Sequence, residues 1–443
     1  MAESPGQAER SERPVSPARA DASEQEGLSI GQNVLWNSVG NLVYLAAQWL
    51  LSYLVVRLLG FGPAGVFSLA MSVGNTVCAL AAYSMRNYQA SDVDGMYSDR
   101  QYVLSRAVTS GVSLLATVAF VLAQPYEPQT ALCVVIYSTY KISEAVSDVY
   151  QAIQQKHLRM DYVGKAYVLK SVSELAVFAL ALATTRSLTI GVCALSAASF
   201  AVILGYERTV ALRLAGDGYG RRGQGYAGDA TRTVWRLLAD CVPMAVYGVL
   251  FNTLSQVPRY LLQSMSGDEV LGIYASVAMP VMLVQVAANY FFVPLTTPMA
   301  HMLRDGRRDE LVRMFGKVVA GILAVTVLAF ALAAVAGEPV YVLMYGEQIR
   351  EHLYLVNPLI LCSTLTALSW FFANVLTILR RLRLLLVGSA LAFGVALATS
   401  APLIGAMGMN GASFACAAAL ATFVAVALFG LVGELRGASR AGR

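Results

Sequence analysis

Twelve apolar stretches alternate with polar breaks along the chain, at about 33–59, 63–85, 106–123, 130–150, 164–184, 187–207, 241–263, 270–293, 315–336, 353–377, 384–404 and 411–433. A helix needs about 20 residues to cross the hydrocarbon core of a bilayer. Helices also satisfy their own backbone in lipid. The pattern therefore predicts an all-α polytopic membrane protein with about 12 transmembrane helices. Six segments precede the longest polar interval and six follow it. The expected organisation is a disordered tail (1–28), a first six-helix lobe (29–207), a linker (208–236), a second six-helix lobe (237–433) and a short tail (434–443). A short echo supports a repeat. Gly65-Val-Phe-Ser-Leu-Ala70 opens the second helix and Gly272-Ile-Tyr-Ala-Ser-Val277 opens the eighth, at an offset of 207 residues.

Composition agrees with a lipid setting: 57% of the 443 residues are hydrophobic and only 13% charged, against about 25% charged in soluble domains. The distribution of charge adds orientation. Of 32 basic residues, 26 fall in the two tails and in the loops after even-numbered helices, including Arg86 and Arg106, while loops after odd-numbered helices hold only Arg186 and Arg350. Positive residues stay on the cytoplasmic side, so both termini are expected inside. Arg86 reads as one such anchor. Outer loops are expected to be short, the longest at Gly337–His352, which leaves no external domain for a catalytic site.

Little of the usual enzyme chemistry is present. Gly218, Gly220 and Gly223 match GxGxxG spacing, but no strand precedes them, and a flexible linker explains them. The six cysteines stand singly, without a CxxC pair, and His157, His301 and His352 sit in polar loops. No metal, cofactor or nucleic-acid partner is expected.

The four remaining cations, Arg57, Lys141, Lys170 and Arg259, lie within helices. A charge at membrane depth is costly and faces a bundle interior or a watery cavity. Placed by helical rise, Lys170 is shallow on the inner side, Lys141 central, Arg259 in the outer half and Arg57 near the outer end. Sharing a cavity, they would form a ladder for an anion. Each has a plainer reading. Arg57 can snorkel at a helix end. Lys141, Glu144 and Asp148 share one face of the fourth helix, and Lys170 and Glu174 are four apart, so internal pairing competes with cavity lining. Arg259 has no acid in its own helix. Asn37 and Asn41 share a face, as do Asn252, Gln256 and Arg259, supplying uncharged hydrogen-bonding groups. Pro243, Pro258, Pro280 and Pro294 are expected to interrupt the seventh and eighth helices.

Several motifs in order resemble one family. They are Arg57-Leu-Leu-Gly60 with Gly65-Val-Phe-Ser68, Arg86-Asn-Tyr-Gln-Ala-Ser-Asp92, and Lys141-x-x-Glu144 with Ser147-Asp148 and Gln155. Pro258-Arg259-Tyr260 and Leu271-Gly-Ile-Tyr274 complete the series. Over about 31–433 the chain resembles a polysaccharide repeat-unit flippase of the multidrug/oligosaccharidyl-lipid/polysaccharide exporter superfamily. The resemblance implies two six-helix lobes around a V-shaped cavity that opens alternately inward and outward in the bacterial cytoplasmic membrane. It also implies a substrate of undecaprenyl-diphosphate-linked oligosaccharide, and partnership with membrane lipids, a polysaccharide polymerase and glycosyltransferases. Arg259 and Arg57, then Lys141 and Lys170, would meet the diphosphate, with Asn252, Gln256, Asn37 and Asn41 beside them. Glu144, Asp148 and Glu174 would be candidates for ion coupling. A peptidoglycan-precursor flippase and a cation-coupled multidrug exporter are the alternatives. The first usually has fourteen helices, and the second typically carries an acid in its first helix, where residues 33–59 have none.

Overall fold

The computed structural model describes residues 30–92, 96–216, 219, 230–292, 295, 298–299, 302 and 307–441. The tail expected at 1–28, Pro294, His301 and all of the glycine-rich stretch except Gly216 and Tyr219 lie outside them. The first lobe comprises α1 (Ile30–Leu59), α2 (Phe61–Ala82), the short α3 (Met85–Ser91), α4 (Asp99–Leu122), α5 (Pro128–Lys156), α6 (Met160–Thr185) and α7 (Leu188–Val202). A π-turn at Ile203–Glu207 carries α7 on into α8 (Arg208–Ala215). The second lobe comprises α9 (Ala230–Leu254), α10 (Val257–Ser266), α11 (Asp268–Phe292) and α12 (Arg308–Leu332). A second π-turn, Ala333–Gly337, leads into α13 (Glu338–Tyr345). Then come a 3-10 stretch (Glu347–Leu355), α14 (Val356–Ile378), α15 (Leu382–Met407) and α16 (Met409–Ala441).

By length and composition, 11 described helical runs are apolar enough to cross a membrane, and α9–α10 and α12–α13 each count as one run. The twelfth helix is α5. At 29 residues it is long enough, but Lys141, Glu144 and Asp148 make it too polar to stand against lipid. It does not have to, because α2, α4 and α7 pack around it and bury most of its length.

Three boundaries differ from the sequence reading. The linker expected from 208 begins as helix, because Arg208–Ala215 continues α7 beyond the apolar run. The loop expected at Gly337–His352 is almost wholly helical. Of the prolines, Pro243 and Pro280 sit inside continuous helices. Of the three that are described, only Pro258 marks a break, in the first turn of α10 just after α9 ends.

The repeat is visible as a reciprocal contact. Gly60 precedes α2 with φ 91° and Gly267 precedes α11 with φ 88°, a left-handed turn that favours glycine. A Cβ on Gly65 would lie 1.7 Å from the Asp268 carbonyl oxygen, and one on Gly272 would lie 2.0 Å from that of Phe61. Gly60 and Gly267, Phe61 and Asp268, and Gly65 and Gly272 are each separated by the same 207 residues. So α2 and α11 cross backbone against backbone near a pseudo-two-fold axis, at the end of the bundle opposite the chain termini.

At the termini end the lobes meet differently. Val234, Leu237, Leu238 and Cys241 of α9 join a buried cluster with Met85, Tyr97, Tyr102 and Tyr150 of the first lobe. The Tyr97 hydroxyl donates to Asp240 of α9 at 2.8 Å. The near half of α9 is thus held by the first lobe, while its far half enters the second.

Candidate functional site: a cationic cavity at a broken helix

The second lobe holds a cavity of about 220 Å³ where α9 gives way to α10. Asn252, Ser255, Gln256, Pro258 and Arg259 form one wall, Tyr274 and Gln285 of α11 a second, and Cys362, Thr366 and Trp370 of α14 with Cys416 of α16 the rest. Pro258 lacks a backbone donor, so a helix continued through it would lose a hydrogen bond. Pro258 is instead tolerated in the first turn of a new helix. The break aims the N-terminus of α10 at the cavity, and a helix N-terminus carries partial positive charge. Arg259 adds a full one. No acidic side chain lines the cavity, and no ion pair to Arg259 exists among the described residues. Gln256 leaves its side-chain oxygen buried without a partner. Asn252 spends its amide on the Gly248 carbonyl at 2.8 Å. The neighbouring Tyr260 hydroxyl donates to the Ser72 carbonyl at 2.8 Å and pairs with the Thr76 hydroxyl at 2.8 Å, tying α10 to α2.

The first lobe treats its charges in the opposite way. Lys141 and Glu144 form an ion pair at 2.8 Å, and Glu144 also accepts from the Tyr44 hydroxyl. Glu174 accepts from Tyr140 at 3.0 Å, whose own oxygen accepts from Gln48 at 2.7 Å. Lys170 is 2% exposed and near enough to bear electrostatically on both Glu144 and Glu174. Two cations face two carboxylates, so this core balances itself. Within this core Glu174 keeps one buried carboxylate oxygen without a hydrogen bond, as Glu207 does elsewhere in the lobe.

A third cluster closes the termini end. Arg86 pairs with Asp148 at 2.9 Å and donates to Gln151 at 3.1 Å. Arg106, its side chain 1% exposed, reaches Asp148 at 3.7 Å and donates to the Ala81 carbonyl. Gln151 donates to the fully buried Glu207 at 3.2 Å. Arg86 and Arg106, read from the sequence as loop cations, are therefore interior ion-pair partners.

The four helix cations do not gather as one ladder. Arg259 lies in the second-lobe cavity, whose walls come wholly from that lobe. Lys141 and Lys170 lie inside the first lobe. Arg57 is exposed at the end of α1, next to Leu58, whose carbonyl accepts from Arg186 at 2.9 Å. Asn41 donates to the Asn37 carbonyl at 2.9 Å on α1. The structure thus brings Asn252, Gln256 and Arg259 together and leaves the other expected ligands elsewhere.

A family model described as "Polysaccharide biosynthesis protein" matches residues 30–303, more than half of the chain. The chain belongs to this polysaccharide biosynthesis family. Comparison with curated proteins gave no match. Among solved structures, the lipid II flippase MurJ in an inward closed conformation superposes with TM-score 0.67 at 9% identity, over 90% of this chain and 87% of that one. A variant of the Vibrio cholerae MATE transporter VcmN gives 0.59 at 16% identity, over 92% and 95%. A MOP superfamily transporter from Pyrococcus furiosus, described as having a binding pocket of reverse polarity, gives 0.58 at 13%, over 94% and 98%. These likenesses establish the fold as that of the exporter superfamily, in a multi-pass membrane protein.

Sequence reasoning missed the tyrosines. Tyr44 and Tyr140 hold the first-lobe acids, and Tyr274 and Trp370 line the second-lobe cavity. A signal existed for Tyr44. Asn37, Asn41, Tyr44 and Gln48 recur every three or four residues, which is one helix face.

Proposed function

We propose that the chain is a flippase that moves undecaprenyl-diphosphate-linked oligosaccharide from the inner to the outer leaflet of the bacterial cytoplasmic membrane for polysaccharide assembly. One observation carries the reading. Arg259 stands without an acidic partner at a broken helix, inside a cavity that no carboxylate lines. Helical rise puts Arg259 about 10 Å from the end of the bundle opposite the termini. Lipid cannot solvate a diphosphate headgroup, and a guanidinium with a helix N-terminus can. In this reading both termini are cytoplasmic and the α2–α11 crossing is the outer closure. Lobe motion about that crossing would expose the cavity to each side in turn. The polyprenyl tail stays in lipid, and glycosyltransferases and a polymerase act before and after the transfer. An interior-negative potential favours outward movement of negative charge by about 2.3 kcal/mol per charge per 100 mV. Of the three candidate acids, Glu174 is the one with acceptor capacity left for a coupling ion, since Glu144 and Asp148 are held by Lys141 and by Arg86 and Arg106. Arg57, Asn37 and Asn41 remain candidates for contact with the substrate when the lobes rearrange.

The multidrug reading is the weaker one, because an unopposed guanidinium repels cationic drugs. Deletion of the gene tests the two. Lipid-linked oligosaccharide should accumulate on the inner leaflet with cationic drug sensitivity unchanged, rescued by the intact gene and not by Arg259→Ala. Drug hypersensitivity without lipid accumulation would replace the flippase with a drug exporter.

A further inference from the structure

Cys362 of α14 and Cys416 of α16 both line the Arg259 cavity. Cys362 donates to the Ser413 carbonyl at 2.9 Å, one turn before Cys416 on the same helix, so the two side chains meet at one point of the cavity wall. Each helix begins at the end of the bundle opposite the termini. By rise per residue, both sulfurs lie about 10 Å from that end, the same depth as Arg259. Arg259 lines the same cavity as both sulfurs. The thiolate is the reactive form of cysteine. Both thiols are free.

We propose that Cys362 and Cys416 are a redox-active dithiol, oxidised by peroxide to a disulfide that closes the Arg259 cavity to diphosphate. In the reaction two S–H bonds break and one S–S bond forms. The two protons and two electrons pass to hydrogen peroxide, which leaves as two molecules of water. A disulfide holds its sulfurs at about 2.05 Å, closer than two unbonded thiols can approach. The bridge therefore draws α14 towards α16 beside Arg259 and narrows the cavity. The closure rests on the diphosphate reading above, and on its orientation the pair lies towards the outer face, where disulfides persist. The formation of the bridge rests on neither.

The test uses the purified full chain in detergent, treated with hydrogen peroxide and mapped by non-reducing peptide mass spectrometry. The expected product is a linked peptide pair carrying both residues, lighter by two hydrogen atoms and released by dithiothreitol. It should be absent from Cys362→Ser and Cys416→Ser. It should persist when Cys78, Cys133, Cys193 and Cys241 are all replaced by alanine. Oxidation to sulfinic acids, or scattered pairing without this bridge, overturns the proposal. Calorimetry with inorganic pyrophosphate reads the closure, with affinity falling at least about tenfold on oxidation and returning on reduction. A bridge that leaves pyrophosphate binding unchanged overturns the closure. If the reduced protein does not bind pyrophosphate, the diphosphate reading fails while the peptide map still decides the bridge.

Discussion

Replacing Gly65 or Gly272 by alanine puts a carbon atom where the facing helix already has its backbone. The new Cβ would lie 1.7 Å from the Asp268 carbonyl oxygen in the first case and 2.0 Å from that of Phe61 in the second. Real Cβ contacts essentially never fall under 3.0 Å, so α2 and α11 must part by at least 1.3 Å or 1.0 Å respectively, the differences from that limit. Neither obstacle is the tip of a flexible side chain, so no rotamer change relieves it. Overpacking of this kind costs about 1–3 kcal/mol. If the cost falls on the state in which this end is closed, the ratio of open to closed should rise about 5- to 150-fold. The reciprocal geometry adds a sharper expectation. One separation relieves both clashes, so the Gly65→Ala/Gly272→Ala double variant should shift little more than the stronger single one. Contacting sites that share a displacement are not additive. Spin labels on exposed Thr185 and Ser266, at this same end, would report the distance by electron–electron resonance. A distribution unchanged in both single variants, or a double variant equal to the sum of the singles, would refute the reasoning.

Glu144→Gln leaves buried Lys141 without its ion-pair partner and should destabilise the first lobe by about 3–5 kcal/mol, read as a fall in Tm in detergent. Lys141→Met with Glu144→Leu should recover most of that loss. Tyr97→Phe removes the hydrogen bond to Asp240 that joins the lobes at the termini end, worth about 1.5–3 kcal/mol because the acceptor is a carboxylate. Labels on exposed Arg100 and Arg232 should then report a larger open population at that end, and an unchanged distance would remove Tyr97 as a latch.

Hydropathy carried most of the architecture because lipid imposes one rule on every segment. All twelve helices were legible, α5 included, since its first half is apolar even though its second half is charged and polar. The repeat was legible through Gly65 and Gly272, because only glycine lets two backbones cross that closely. The continuations Arg208–Ala215 and Glu338–Tyr345 were not: the arginines of the first share the composition of loops, and Gly337 with Pro339 read as turn residues ahead of the apolar stretch 340–345 of the second. At the site, the face of Asn252, Gln256 and Arg259 was readable because it lies within one stretch of chain. The partners of Asp148 were not, because Arg86 and Arg106 reach it from other helices and nothing local fixes that register. The same limit hid the meeting of Cys362 with Cys416. It also left Lys141 undecided between pairing and cavity lining until Tyr44 and Glu144 were seen closing around it.

Movement of a diphosphate-linked lipid through the Arg259 cavity is tested most directly in proteoliposomes. Purified protein would be reconstituted with fluorescent undecaprenyl-diphosphate oligosaccharide, and the fraction reached by an added membrane-impermeant glycosidase followed over time. The wild type should bring the inner-leaflet pool within reach of the enzyme, and Arg259→Ala, folded and reconstituted to the same level, should not. Equal exposure in liposomes with and without protein, or undiminished transfer by Arg259→Ala, would contradict a flippase that works through this cation.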